Sequence, residues 1–203
     1  MQVLYLSCSP RGTASFSSLM AQDVIGRIRE RHDAVRIVTR ELGEAPPAIV
    51  DAGFSAAILS PPEPGKPALA ISETLILELE ASDALVIATP MHNYGVPAVL
   101  KAWIDQIVRI HRTFRSTPAG KVGILTDRPV YVVISSGGWF TRASPTGAPP
   151  QPDFLRPYLQ AVFSTIGITD LHFLTLEGVT RGPEIVQRAF AEAHEVLNTA
   201  LPA

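Results

Sequence analysis

Apolar residues recur along this chain at two alternating spacings. QVLYLS (2–7) is a short apolar run that predicts a strand. Phe16, Leu19, Met20, Val24 and Ile28 then share one helical face, predicting a helix over 15–31 with Ser15 as its N-cap. VRIVT (35–39) reads as a second strand interrupted by Arg36, ALAISETLILELE (68–80) as a helix, and ALVIAT (84–89) as a strand apolar on both faces. The pattern repeats with an amphipathic helix over 97–109, a buried strand PVYVVIS (129–135) and a helix over 153–166. It closes with an alternating strand DLHFLTLE (170–177) and a helix that Pro183 opens and that runs to about Asn198.

Five strands, each followed by a helix, predict an α/β fold with a doubly wound, five-stranded parallel sheet and helices on both faces. The third and fourth strands are the most apolar and belong at the centre. The second and fifth are more interrupted and belong at the edges, which favours the spatial order 2-1-3-4-5, a flavodoxin-like arrangement. Two connections, 40–67 and 110–128, are long for such a fold and are expected to wall a pocket. The apolar stripe of the 97–109 helix, which includes Trp103, is expected to leave surface for a second copy of the chain.

Composition narrows the class. A chain of 203 residues, 46% hydrophobic and 18% charged, fits one globular domain over 1–203. A net charge of −2 without a basic block argues against nucleic acid and against a polybasic membrane patch. The single cysteine, Cys8, excludes a disulfide framework and a cysteine metal cluster and suggests a reducing, cytoplasmic setting. No apolar run is long enough for a membrane helix, and the first residues lack the basic start of an export signal.

Ligands of such sheets bind beyond the strands' carboxyl ends, where the winding reverses, here between strands one and three. The exits there are SPRGTASFS, TPMHNYGVP and, from strand four, SSGGWF. The first suits an anion. A helix N-terminus offers unpaired amides, Ser9, Ser15 and Ser17 add hydroxyls, Gly12 lets the chain turn, and the first carboxylate in the sequence is Asp23. At the second exit Pro90 ends the strand, Met91 and Tyr94 supply apolar surface, and Asn93 supplies donors. At the third, Ser135–Gly138 let the backbone approach a flat ring, with Trp139 and Phe140 as expected walls. No P-loop and no G-x-G-x-x-G is present. A phosphatase thiolate at Cys8 would want an arginine where Ala14 stands. A phosphate subsite beside a flat slot points to a mononucleotide with a large ring, FMN above all.

These motifs together resemble the FMN-dependent NADH-azoreductases, NADH:quinone oxidoreductases of flavodoxin-like fold. The likeness spans nearly the whole chain: S-x5-SFS at Ser9 and 15–17, PMHNYGVP for the family's P-M-Y-N-F, SSGG for its S-R-G-G, and FSTIGITD…EGVTRGPE (163–184) for its F-x-G-I-T-D…E-G-x3-G-P-E. The resemblance implies FMN held at its phosphate by Ser9, Ser15, Phe16 and Ser17. Pro90, Met91, His92, Asn93 and Tyr94 would lie beside its ring, and Ser135, Ser136, Gly137 and Gly138 at the far edge. It implies a homodimer with active sites at the interface, and ping-pong transfer from NADH or NADPH through FMN to a quinone or azo substrate. His92 and Ser136 depart from the family's Tyr and Arg, and the 115–128 segment lacks its Gly-Lys-Lys ending; these touch substrate choice more than flavin binding. The flavin performs the hydride chemistry, so no side chain is assigned a catalytic role, and His92 is read as a pocket or surface histidine. The alternative is a flavodoxin-type electron carrier, a class that tends to be strongly acidic.

Overall fold

Within β1 (Gln2–Ser7) alternate side chains serve two separate cores, as the two-residue period of a strand requires. Val3 and Tyr5 pack on one face with Met20, Val24 and Ile28 of α1 (Phe16–Arg31). Leu4 and Leu6 pack on the other. The computed structural model describes residues 1–60 and 65–202. After α1 the chain continues through β2 (Arg36–Glu41), α2 (Ala52–Leu59), α3 (Ala70–Glu80), β3 (Ala84–Pro90) and α4 (Ala98–Ile107). It then forms β4 (Phe114–Thr117), β5 (Gly120–Gly123), β6 (Val130–Ser136), α5 (Leu155–Ile166), β7 (Leu171–Glu177) and α6 (Pro183–Ala200).

β1, β2, β3, β6 and β7 form one parallel sheet in the order β2-β1-β3-β6-β7, the predicted 2-1-3-4-5 with the small hairpin strands counted in. α3, α4 and α5 cover the face carrying Leu4, Ile87 and Val132, while α1 and α6 cover the face carrying Tyr5, Val86 and Val133. β3 and β6 are buried on both faces, and β2 and β7 show half-exposed side chains, as expected of centre and edge. The winding reverses between β1 and β3. Ser7 pairs with Ala88 and Pro90 with Ser135, so the three exits leave adjacent strands, within roughly 10 Å of one another at the usual strand spacing.

Three expectations change. The 110–128 connection contains a two-stranded antiparallel hairpin, β4–β5, and it does not wall the crevice of its own chain. Leu125 N–H donates to Ile166 O at 3.0 Å, and Asp127 accepts Thr169 N–H at 2.9 Å and Thr169 Oγ1 at 2.6 Å. These contacts tie the segment to the end of α5 and the amino end of β7, opposite the strand exits. FSAAIL in 40–67 is the body of α2, capped by Asp51, whose Oδ1 accepts Phe54 N–H at 2.8 Å. The part of that connection at 61–64 lies outside the described residues. Trp103 is fully buried, 6.5 Å ring to ring from Phe163, so the Trp103 part of the α4 stripe is spent on the chain's own core.

Candidate functional site

The first exit is folded around its hydroxyls. Ser15 is the N-cap of α1: its Oγ accepts Ser18 N–H at 3.1 Å and donates to Ser18 Oγ at 2.8 Å, and Ser17 Oγ lies 3.3 Å away. Ser9 Oγ accepts Arg11 N–H at 3.2 Å. Ser9, Ser15 and Ser17 are all buried. Among the described residues the amides of Phe16 and Ser17 have no partner, the state in which a helix N-terminus receives an anion. The Phe16 ring turns away to meet Phe190 edge-on at 6.3 Å, so Phe16 offers its backbone to the site, and the Arg11 guanidinium stands 5.9 Å from that ring. Cys8 is fully buried, and desolvation pushes its thiol pKa far above the usual range, which removes the thiolate a phosphatase needs.

Folding also brings to this loop a charge that is distant in sequence. Gly43 donates its N–H to Ser7 O at 3.1 Å and lies so close to the loop that a Cβ there would sit 2.3 Å from Ser9 O. The next residue, Glu44, places Oε1 3.6 Å from where a Cβ on Gly12 would be. The absence of carboxylates before Asp23 therefore does not make the loop free of them in space.

The second exit is a tight hairpin turn. His92 and Gly95 exchange both backbone hydrogen bonds, at 3.1 and 3.0 Å, around Asn93 (φ 48°) and Tyr94 (φ 70°). Positive φ at both central residues is the type I′ pattern. Asn tolerates it and Tyr does not, so the turn is held under strain. Two bonds pin it: Met91 N–H to Ser135 O at 2.9 Å, and Phe154 N–H to Tyr94 O at 2.9 Å. Met91 and Pro90 are half-buried, while His92, Asn93 and the Tyr94 ring are exposed.

The third exit, Ser135–Gly138, runs alongside. Ser136 Oγ accepts Gly138 N–H at 3.3 Å. Gly138 faces the side chain of Gln151 so closely that a Cβ there would lie 1.9 Å from Nε2. The expected aromatic walls are not on the crevice. Phe140 is buried in the core, with the Arg156 guanidinium 5.3 Å from its ring. Trp139 lines a separate cavity of about 240 Å³ with Ile185, Arg188 and Glu192. A larger cavity of about 720 Å³ opens between α2, α3 and Arg109–Arg112, away from all three exits. Its charges are mutually satisfied: Glu73 bridges Arg109 and Arg112, whose hydrogen bonds overcome the upward push of burial and hold its carboxyl below the usual range. The structure thus brings Ser9, Ser15–Ser17, Pro90–Tyr94 and Ser135–Gly138 together and leaves Trp139 and Phe140 out. It adds Gly43, Glu44, Gln151, Phe154 and Glu177, of which only Glu177, the first residue of the EGVTRGPE motif, carried a sequence signal of its own.

A family model described as a flavodoxin-like fold matches residues 1–201. The chain is 44% identical over 196 residues to the FMN-dependent NADH:quinone oxidoreductase 4 of Pseudomonas fluorescens, covering 97% of this chain and 93% of that one. It is 46% identical over 193 residues to the FMN-dependent NADH:quinone oxidoreductase 2 of Cupriavidus pinatubonensis, covering 93% and 92%. Among solved structures, an azoreductase from Bacillus anthracis superposes with a TM-score of 0.82 at 20% identity over the whole of both chains, a likeness of fold. An FMN-dependent NADH-azoreductase of the same species, solved with FMN, gives 0.80 at 22% identity, covering 98% of this chain and 99% of that one. No helix among the described residues is long and apolar enough to cross a membrane.

Proposed function

The chain belongs to the flavodoxin-like family of FMN-dependent NADH:quinone oxidoreductases, and we propose that it is such an enzyme: it binds FMN without a covalent link and uses NADH or NADPH to reduce quinones and azo compounds. One observation carries the reading. The α1 N-terminus, with unpaired Phe16 and Ser17 amides among the hydroxyls of Ser9, Ser15 and Ser17, opens at the reversal point of the sheet beside the Met91–Tyr94 turn and Ser135–Gly138. That arrangement fits a phosphate followed by a flat ring. Bound FMN supplies two-electron hydride chemistry; the chain supplies position and polarity.

In this reading Ser9, Ser15, Phe16 and Ser17 hold the phosphate through hydroxyls and amides. Pro90, Met91, His92, Asn93 and Tyr94 form one side of the ring slot, and Ser135, Ser136, Gly137 and Gly138 form its edge. Residues 1–203 act as one domain in a homodimer that works in the cytoplasm. Tyr94 is 44% exposed and Phe154 is 65% exposed, and they are joined through Phe154 N–H to Tyr94 O. Two aromatic rings presented at the crevice mouth suit a cover made by a second copy of the chain. Purification tests the whole reading. The protein should be yellow, bleach under NADH without oxygen, and recolour on adding a quinone. A colourless protein whose apo form binds neither FMN nor riboflavin would refute it.

A further inference from the structure

Glu177, the last residue of β7, is only 6% exposed. Its Oε1 accepts the amides of Phe140 and Thr141 at 2.6 and 2.7 Å, and its Oε2 accepts Thr141 Oγ1 at 2.7 Å. Burying a carboxylate is costly, and charge-assisted bonds of this kind offset the cost. All three come from the two residues that follow Ser135–Trp139. The carbonyls just ahead of them are also occupied. Val179 N–H donates to Ser136 O at 3.1 Å, Thr180 Oγ1 to Gly137 O at 3.2 Å, Gly178 N–H to Gly138 O at 3.3 Å and Gln151 N–H to Trp139 O at 2.8 Å. Among the described residues the amides of Gly137 and Trp139 have no protein partner. Residues 136–139 therefore have every carbonyl paired and two donors unpaired.

We propose that Glu177, by holding the Phe140 and Thr141 amides, is a positioning residue that locks residues 136–139 with their carbonyls occupied and only N–H groups to spare, and thereby sets the reduction potential of FMN. The proposal rests on the FMN site described above. Two electrons and one proton convert FMN to its anionic hydroquinone: N5 takes the proton and becomes a donor, while N1 and O2 stay acceptors and carry the negative charge. Fixed N–H donors facing the N1–O2 edge would therefore hold reduced FMN more tightly than oxidised FMN, whereas a carbonyl turned toward that edge would do the reverse. Without Glu177 the Phe140 and Thr141 amides lose their acceptor, and the peptide units before them are held by their carbonyl bonds alone.

The test compares wild type with Glu177→Gln, Glu177→Ala and Thr141→Val, each loaded with FMN. Midpoint potential is read by dye-coupled reductive titration, FMN affinity by fluorescence quenching, and folding by thermal melts. Glu177→Ala should lower the affinity for reduced relative to oxidised FMN about tenfold, the effect of losing roughly one charge-assisted donor. For a two-electron couple that is a shift of about 30 mV to more negative potential. Glu177→Gln keeps an acceptor for both amides and should restore the potential. Thr141→Val keeps the amide bonds, loses one hydroxyl bond, and should shift less in the same direction. If Glu177→Ala does not fold, a shifted Thr141→Val beside an unshifted Glu177→Gln still supports the proposal. Lower melting temperatures with unchanged potentials would overturn it, since a merely structural role predicts that result. A Glu177→Gln potential displaced as far as that of alanine would also overturn it, because charge rather than position would then be acting. Wild-type protein that binds no FMN would refute the FMN site itself.

Discussion

Ser15 carries two duties at one position: it caps α1 through Ser18 N–H, and it stands with Ser9 and Ser17 around the unpaired amides of Phe16 and Ser17. Ser15→Ala should therefore cost about 1 kcal/mol of stability as a lost cap. Together with Ser17→Ala it should weaken FMN by about 1–3 kcal/mol, since the backbone donors remain. Riboflavin, which has no phosphate, should bind both proteins alike; titration of apo-protein with the two flavins checks this, and equal losses for both would refute the phosphate assignment. The hydroxyls were legible in the sequence because a cap is a local feature. Glu44 was not, because its place beside Gly12 depends on β2 pairing with β1 and on Gly43 packing against Ser9. A carboxylate near a bound dianion opposes it weakly, through solvent. Glu44→Gln should tighten FMN about two- to fivefold at low ionic strength, and the gain should fade as salt is raised to a molar level, where the screening length falls to about 3 Å. A gain that ignores salt would mean that Glu44 acts by shape instead.

At the scale of elements, what could be read depended on length and burial. β3 and β6 are long, apolar on both faces and central, and their bounds match the expected strands to within one residue at each end. β4 and β5 have four residues each, too short for a period to register, and their place is set by contacts with α5 rather than by their own pattern. The Asn93–Tyr94 turn was equally hidden, since type I′ turns favour glycine and this one has none at its centre. Tyr94→Gly separates strain from function. Relief of a left-handed tyrosine gains about 1 kcal/mol, and the added freedom of an unfolded glycine costs roughly the same. Stability should stay within about 1 kcal/mol of wild type while quinone turnover changes; a large loss in the melt would show that the Tyr94 ring, not the turn, holds the loop. A second element-scale test concerns acid. Glu73 is below the usual carboxylate range because Arg109 and Arg112 outweigh its burial, so the folded protein binds its proton less readily than the unfolded chain. A depressed carboxylate contributes stability above its unfolded pKa of about 4.3 and loses it as pH falls through the folded value. Melts of wild type and Glu73→Gln should differ at pH 7 and converge toward pH 3; a constant gap would deny the linkage.

For the whole molecule the decisive matter is what closes the crevice. Phe140 lies in the core and Trp139 lines a cavity with α6, so neither can select an electron acceptor as the sequence suggested. Phe140→Ala should instead behave as a core truncation, losing about 3 kcal/mol or more. Tyr94 and Phe154 are the exposed rings at the mouth, and the chain's own 110–128 segment is tied down at the opposite end of the sheet. If a second copy supplies the cover, as proposed, Phe154→Asp, which puts a charge at a position 65% exposed in one chain, should leave a monomer by light scattering where the wild type is a dimer. If nicotinamide and quinone take turns in the covered slot, they cannot be bound together, and initial-rate plots at several quinone concentrations should be parallel. Tyr94→Ala and Phe154→Ala should change the ranking among quinones and an azo dye, because a mostly apolar slot discriminates by ring contacts worth about 1–3 kcal/mol each. Flavin affinity should change less than the ranking meanwhile, since the phosphate loop is untouched. Intersecting plots would require a ternary complex and a second substrate site. A fully active monomer would mean that the crevice works uncovered, with Tyr94 and Phe154 as the exposed aromatic rings beside it among the described residues.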